Sequence, residues 1–221
     1  MLDRNLSLHL NLSRLFIARQ SYAAVEAAMQ RISAEDIDLV EQHHILRAAL
    51  RMPEEIPWVP GLDEGELGSL VSDLKDLLVL RSIEYRPERV VCDIGGADGV
   101  TAIALQNILG AESSVVVEKS GALVSAGRDA ASRNMQTVSF QHCDARAADY
   151  RNSNFFYLYC PFGEHTTRAV LNRILEHRQG KGEILFCTNV IPDRWMSSFT
   201  GIQLLDGLPH RTCLRLWKAN I

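Results

Sequence analysis

An acidic side chain followed by a glycine-rich turn is the most informative feature of this 221-residue chain. The apolar run at 90–92 ends at Asp93, the turn GGADG occupies 95–99, and a second apolar stretch follows. A buried strand, a tight turn and a helix start, in this order, let backbone N–H groups approach a ligand closely. Because a carboxylate precedes the glycines, the pattern favours a ligand with an amino group or a positive charge.

Two further acids, Glu118 and Asp144, each end a predicted strand. Ligands of open α/β sheets bind outside the carboxyl ends of the strands, so parallel strands would direct all three acids into one crevice. There, Glu118 can accept from both hydroxyls of a ribose, Asp144 from an exocyclic amine, and Asp93 can lie beside an amino acid moiety. The ligand so described is an adenosine joined to an amino acid. Two alternatives stay open: Glu118 as an ordinary exposed strand-end acid, and Asp144 as a helix N-cap.

The elements that must position these acids alternate between strands and helices from residue 89 onward. Strands are predicted at 90–94, 114–118, 138–143, 155–160 and 183–190, with helices at 99–109, 122–134 and 164–178. Such alternation predicts a parallel sheet with right-handed crossovers. The tail differs, because the strand-like runs at 201–206 and 213–219 are joined closely enough to form a hairpin.

The chain before residue 89 is predicted to be helical. Apolar residues recur at helical spacing between 12 and 32, Ser33 is the predicted N-cap of a second helix, and a third helix is expected from about 63 to 80. A proline-containing connector at 52–61 separates the last two. We therefore expect an N-terminal helical segment at 1–85, which covers the acceptor site or mediates a homodimer contact, and an α/β domain at 86–221.

The composition limits the partners and the compartment. A net charge of −4 and a pI near 6.0 give no support to nucleic-acid binding, although they do not exclude it. No apolar run approaches the ~18 residues of a membrane span, and no secretory signal pattern opens the chain. The five cysteines are far apart and none forms a C-x-x-C pair, so we expect reduced cysteines, no metal site and a cytoplasmic location.

The pattern Asp93-x-Gly95-x-x-x-Gly99, followed by Glu118 and Asp144, resembles the successive cofactor motifs of class I S-adenosylmethionine-dependent methyltransferases. The resemblance covers about 86–218, including the terminal hairpin. It implies an α/β fold with a Rossmann-like, seven-stranded, mostly parallel sheet in the order 3-2-1-4-5-7-6 and helices on both faces. It also implies S-adenosylmethionine as the cofactor. One departure is Ala97, which replaces the middle glycine of the family's pattern.

The resemblance also implies a set of site residues. The turn YCPFG at 159–163 is similar to the x-Pro-aromatic turns that follow the fourth strand in several methyltransferases, although Cys160 replaces the polar residue of the nucleic-acid amino-methylating form. His165 and then Tyr159 are the best-placed candidates for a general base. The implied cofactor-binding residues are Asp93, Gly95, Gly96, Ala97, Gly99, Glu118, Lys119, Asp144, Ala145, Cys160 and Pro161.

The implied activity is methyl transfer by direct displacement to an N or O acceptor on a small molecule or protein. One alternative is a non-catalytic S-adenosylmethionine-binding or scaffolding protein, because no base is evident. A nicotinamide-dependent oxidoreductase is disfavoured, since residues 95–100 depart from G-x-G-x-x-G at the third and sixth places.

Overall fold

Seven strands form one sheet. The computed structural model describes residues 19–53, 72–83, 89–134, 136–159, 162–205, 208 and 213–221. The strand order is β3-β2-β1-β4-β5-β7-β6, in which β1 to β5 pair in parallel and β7 runs antiparallel to both of its neighbours. The predicted fold class and strand order are confirmed. The strands are β1 Val90–Ile94, β2 Ser113–Glu118, β3 Val138–His142, β4 Phe155–Tyr159, β5 Glu183–Asn189, β6 Ile202–Leu205 and β7 Leu214–Asn220.

Helices precede the sheet and connect its strands. The first, α1, covers residues 19–34. The others are α2 Leu39–Ala49, α3 Leu74–Leu77 with a 3-10 extension at Leu78–Ser82, α4 Val100–Leu109, α5 Gly121–Asn134, a 3-10 turn at Ala145–Ala147, α6 Glu164–Arg178 and α7 Asp193–Ser197. The three helices predicted between the strands agree with α4, α5 and α6 to within one residue, whereas α7 was not predicted.

The helices pack on both faces of the sheet, as predicted. On one face, α1 to α4 share an apolar cluster with Val91 and Phe155, and on the other face α6 and α7 pack on Cys92 and Phe156. Because side chains alternate along a strand, Asp93 shares the face of Val91. The predicted cofactor acid therefore lies on the side that the N-terminal helices cover.

One predicted helix start is wrong. Ser33 lies inside α1, and α2 begins after Asp38, whose carboxylate accepts from the Glu41 N–H at 2.9 Å. The burial of Ile32 in the core keeps α1 helical past the point where a local capping signal would end it. The predicted start of the third helix, near residue 63, lies outside the described residues; within them, α3 is capped by Asp73.

Residues 54–71 lie outside the described part, and so do 84–88, where the domain boundary was predicted. No helix within the described ranges combines the length and the apolar character needed to cross a bilayer. Among those same residues, no three His, Cys, Asp or Glu side chains cluster in a way that could hold a metal ion.

Candidate functional site

The glycine turn links the carboxyl ends of β1 and β2. The Gly95 N–H donates to the Val117 carbonyl at 2.8 Å, and the Gly99 N–H closes the turn on the Gly96 carbonyl at 2.9 Å. Gly95, Ala97 and Gly99 have φ of 76°, 50° and 84°. These left-handed conformations favour residues without a Cβ, which explains the glycines at two of the three positions.

Asp93 lies directly beneath this turn. Its side chain is buried, and a Cβ placed on Gly96 would lie 2.6 Å from the carboxylate, so only glycine lets the turn pass so close. The Asp93 Oδ2 has no hydrogen-bond partner among the described residues. Burial, and then the charges of Glu118 and Asp98, raise the pKa of Asp93 to about 7. A buried carboxylate oxygen without a partner is costly, and a donor or cation from a ligand would satisfy it.

Glu118 holds the turn from the neighbouring strand. Its Oε2 accepts from the Ala97 N–H at 3.1 Å, and its Oε1 accepts from the Ser120 N–H at 2.7 Å. A carboxylate offers about four lone-pair positions, so two of them remain for a ligand. The structure thus brings Asp93, Glu118 and the glycine turn together at one edge of the sheet.

Asp144 follows β3 at the same edge and has a second role. It caps the 3-10 turn at Ala145–Ala147, accepting from the Arg146 backbone N–H at 2.8 Å and from the Arg146 guanidinium at 2.7 and 2.9 Å. The side-chain hydrogen bond from Arg146 is the main cause that lowers the pKa of Asp144 to about 2, and the charge of Lys119 adds to it. The N-cap alternative is therefore confirmed, and it leaves Asp144 ionised at the site edge. Lys119 is exposed, whereas Ala145 is buried.

The predicted base candidates lie at the ends of other elements. Tyr159 ends β4, is half-buried, and packs on the same face of the sheet as Asp93. His165 is exposed in the first turn of α6, which covers the opposite face. Cys160 and Pro161 lie outside the described residues.

The sequence reasoning missed Asn189, the last residue of β5. It pairs in register with Tyr159, is only 4% exposed, and its Oδ1 has no partner among the described residues. The next residue, Val190, has a φ of 61°, which a β-branched side chain rarely adopts. Polar burial and backbone strain at a strand end are typical of functional positions. The only signal in the sequence was an asparagine closing an apolar strand.

Strain at Ala97 gives a testable expectation. A left-handed conformation costs a residue with a Cβ about 1–2 kcal/mol relative to glycine, part of which the greater freedom of an unfolded glycine cancels. Ala97→Gly should raise the free energy of unfolding by about 0.5–1 kcal/mol in urea titrations. The control is Ala23→Gly at an exposed position of α1, which should lower it by about 1 kcal/mol. Equal losses in both variants would show that Ala97 is unstrained.

Comparison with known proteins places this geometry in a fold family. No protein-family profile and no curated protein matches the sequence. Among solved structures, the mitomycin 7-O-methyltransferase MmcR aligns with a TM-score of 0.54 and 11% identity over 67% of this chain and 54% of that one. The O-methyltransferase NcsB1 from neocarzinostatin biosynthesis, solved with S-adenosylmethionine and 2-hydroxy-5-methyl naphthoic acid, aligns with a TM-score of 0.51 and 13% identity over 65% and 52%.

TrmN from Thermus thermophilus aligns with a TM-score of 0.50 and 16% identity over 66% of this chain and 48% of TrmN. The chain thus matches about half the length of each of these proteins. These likenesses, together with the strand order β3-β2-β1-β4-β5-β7-β6, show that the chain has the fold of the class I S-adenosylmethionine-dependent methyltransferases.

Proposed function

We propose that this protein binds S-adenosylmethionine and transfers its methyl group to a nitrogen or oxygen acceptor on a small molecule or a protein. One observation carries the proposal: the buried Asp93 carboxylate has an unpartnered oxygen beneath a turn that only glycine at position 96 permits. In a fold whose ligands bind at the carboxyl ends of the strands, this arrangement suits a ligand that brings its own donor and positive charge.

The residues present fit the amino acid and ribose parts of that cofactor. Asp93 would accept from the amino acid end, and the free lone pairs of Glu118 would accept from the ribose hydroxyls. Asp144 lies one strand further, where an adenine amine would need an acceptor, although Arg146 already occupies both of its oxygens. NcsB1, one of the structural neighbours, was solved with S-adenosylmethionine, which supports this choice of cofactor.

Methyl transfer from S-adenosylmethionine requires the protein mainly to position the cofactor and the acceptor. When bound, S-adenosylmethionine supplies a methyl group on a positively charged sulfur, which is already a good leaving group. The chain must hold the acceptor in line and exclude water. Tyr159 and Asn189 lie side by side at the ends of β4 and β5 on the face of Asp93, so they are the candidates to orient an acceptor N–H or O–H. An amine that arrives uncharged needs no general base, and His165, exposed on α6, would serve only an acceptor that must lose a proton.

Contacts of α6 argue against a phosphate-rich acceptor on that helix. The Arg173 guanidinium donates to the carbonyls of Ala147 and Ala148, and the Arg178 guanidinium donates to the Arg151 carbonyl. These cations are therefore engaged in holding the connection between β3 and β4. Together with the net charge of −4, this favours a small molecule or a protein side chain over a nucleic acid.

The test has two stages. Isothermal calorimetry with S-adenosylmethionine, S-adenosylhomocysteine and NAD should give saturable binding of the first two and none of NAD. Incubation with methyl-labelled S-adenosylmethionine and separated small-molecule, protein and RNA pools should then label one of the first two pools. Binding without transfer to any pool would favour the non-catalytic alternative. Binding of NAD alone would overturn the assignment of the cofactor.

A further inference from the structure

A buried ion pair joins the N-terminal helices to the glycine turn. Arg47, in the last turn of α2, donates from Nη1 to the Asp98 Oδ2 at 2.6 Å, and only 4% and 6% of the two side chains are exposed. The Arg47 Nε donates to the Pro53 carbonyl at 2.7 Å, so the guanidinium is fixed on two sides. Buried ion pairs add little net stability, because desolvation offsets their attraction. Stability alone therefore does not account for this pair.

A second buried contact fixes the same helix beside the site. His43 lies one turn before Arg47, and its Nε2 N–H donates to the Ser72 carbonyl at 2.9 Å. The Tyr157 hydroxyl donates to the Ser72 Oγ at 3.2 Å, and Tyr157 is the register partner of Asp93. The helix α2 thus reaches the site twice, once at the glycine turn and once, through Ser72, at the strand beside Asp93.

Asp98 occupies a position from which it controls the turn. It lies between Ala97 and Gly99, both in left-handed conformations, and the Ala97 N–H is the group that Glu118 accepts from. A shift of Asp98 would therefore move the backbone that meets the predicted ribose acid.

We propose that Arg47 is a positioning residue of the cofactor site, holding the glycine turn through Asp98 so that α2 is part of that site. The inference rests on the proposed function, because its consequence is read from cofactor affinity. The N-terminal segment then has a role in cofactor binding besides its expected role at the acceptor.

The test removes the ion pair without leaving a buried charge. Arg47→Met alone leaves the Asp98 carboxylate buried without its cation and can prevent folding. The double variant R47M/D98N leaves both positions neutral. We expect R47M/D98N to melt near the wild-type temperature and to bind S-adenosylhomocysteine about tenfold more weakly by calorimetry, well below its melting temperature. The single variant R47K keeps a cation opposite the Asp98 carboxylate. It should therefore bind S-adenosylhomocysteine more tightly than the double variant does.

The matched control is Arg31→Met, which removes the exposed Arg31–Glu35 pair, 3.0 Å apart, from the same N-terminal segment. It should leave the affinity unchanged. A folded R47M/D98N protein with the wild-type affinity would overturn the inference and leave the proposed function standing. Wild-type protein that binds neither S-adenosylmethionine nor S-adenosylhomocysteine would instead overturn the proposed function, and this inference with it.

Discussion

Replacing Asp93 with asparagine should stabilise the cofactor-free protein at pH 8 while weakening its affinity for S-adenosylmethionine. Burial raises the pKa of Asp93 from 3.8 to about 7, with the charges of Glu118 and Asp98 adding to the effect. Between pH 4 and pH 7 the folded protein therefore keeps a proton that the unfolded chain has lost, so the free energy of unfolding falls as the pH rises through this interval. Above pH 7 the ionised carboxylate remains buried and costs stability.

The size of this effect can be bounded. Each pH unit of that interval corresponds to about 1.4 kcal/mol, which sets a ceiling of about 4 kcal/mol between 3.8 and about 7. An asparagine still lacks a partner for its buried amide, so we expect a net gain of about 2 kcal/mol at pH 8. Urea titrations at pH 5, 6, 7 and 8 should show a wild-type decline that the D93N protein lacks. The control is Asp129→Asn on the exposed face of α5, whose curve should follow the wild type.

Binding should change in the opposite direction. Since the proposed contact uses the ionised carboxylate, wild-type affinity for S-adenosylmethionine should strengthen from pH 5.5 to pH 7.5. At pH 7.5 the D93N protein should bind about 10- to 100-fold more weakly, the effect of losing one charged hydrogen bond. A D93N variant that is both less stable and equally competent in binding would show that Asp93 is a structural acid.

The gain in stability and the loss of affinity expected for D93N both come from the buried carboxylate of Asp93. The sequence predicts part of this arrangement. An acid that ends an apolar run before glycines is out of place in a core, which is why the sequence alone points to Asp93. The parallel register then brings Glu118 to the same edge, as strand-end reasoning predicted. The contact between Glu118 and the Ala97 N–H depends on the left-handed conformation of Ala97. The sequence does not predict that conformation, because alanine rarely adopts it.

The long-range contacts could not be predicted from the sequence. Arg47 and Asp98 are separated by 51 positions, and an arginine in a helix gives no local sign that it will be buried. The end of β5 was misjudged for a different reason. Val190 has a high β propensity, yet its φ of 61° ends the strand at Asn189, because the connection to α7 imposes a turn there. Local propensity predicts the elements, whereas the packing between them decides which side chains meet.

Glu118→Gln should weaken cofactor binding through a different part of the ligand. Both carboxylate oxygens accept from backbone N–H groups, from Ala97 at 3.1 Å and from Ser120 at 2.7 Å. A glutamine can satisfy only one of these N–H groups, because its amide nitrogen would face the other as a second donor. The glycine turn should therefore loosen, and the acceptor for the ribose hydroxyls should be lost at the same time. We expect about a 10- to 100-fold weaker affinity for S-adenosylhomocysteine.

Adenosine, used alone as a competitor, separates the roles of the two acids. It contains the ribose and lacks the amino acid, so E118Q should weaken its binding whereas D93N should leave it unchanged. The control is Glu112→Gln just before β2, at the opposite end of that strand, where the side chain is exposed. Competition curves that shift equally in E118Q and D93N would mean that both substitutions disturb the turn as a whole. In that case the two acids would act through one loop conformation, and separate contacts to the two halves of the ligand would be disproved.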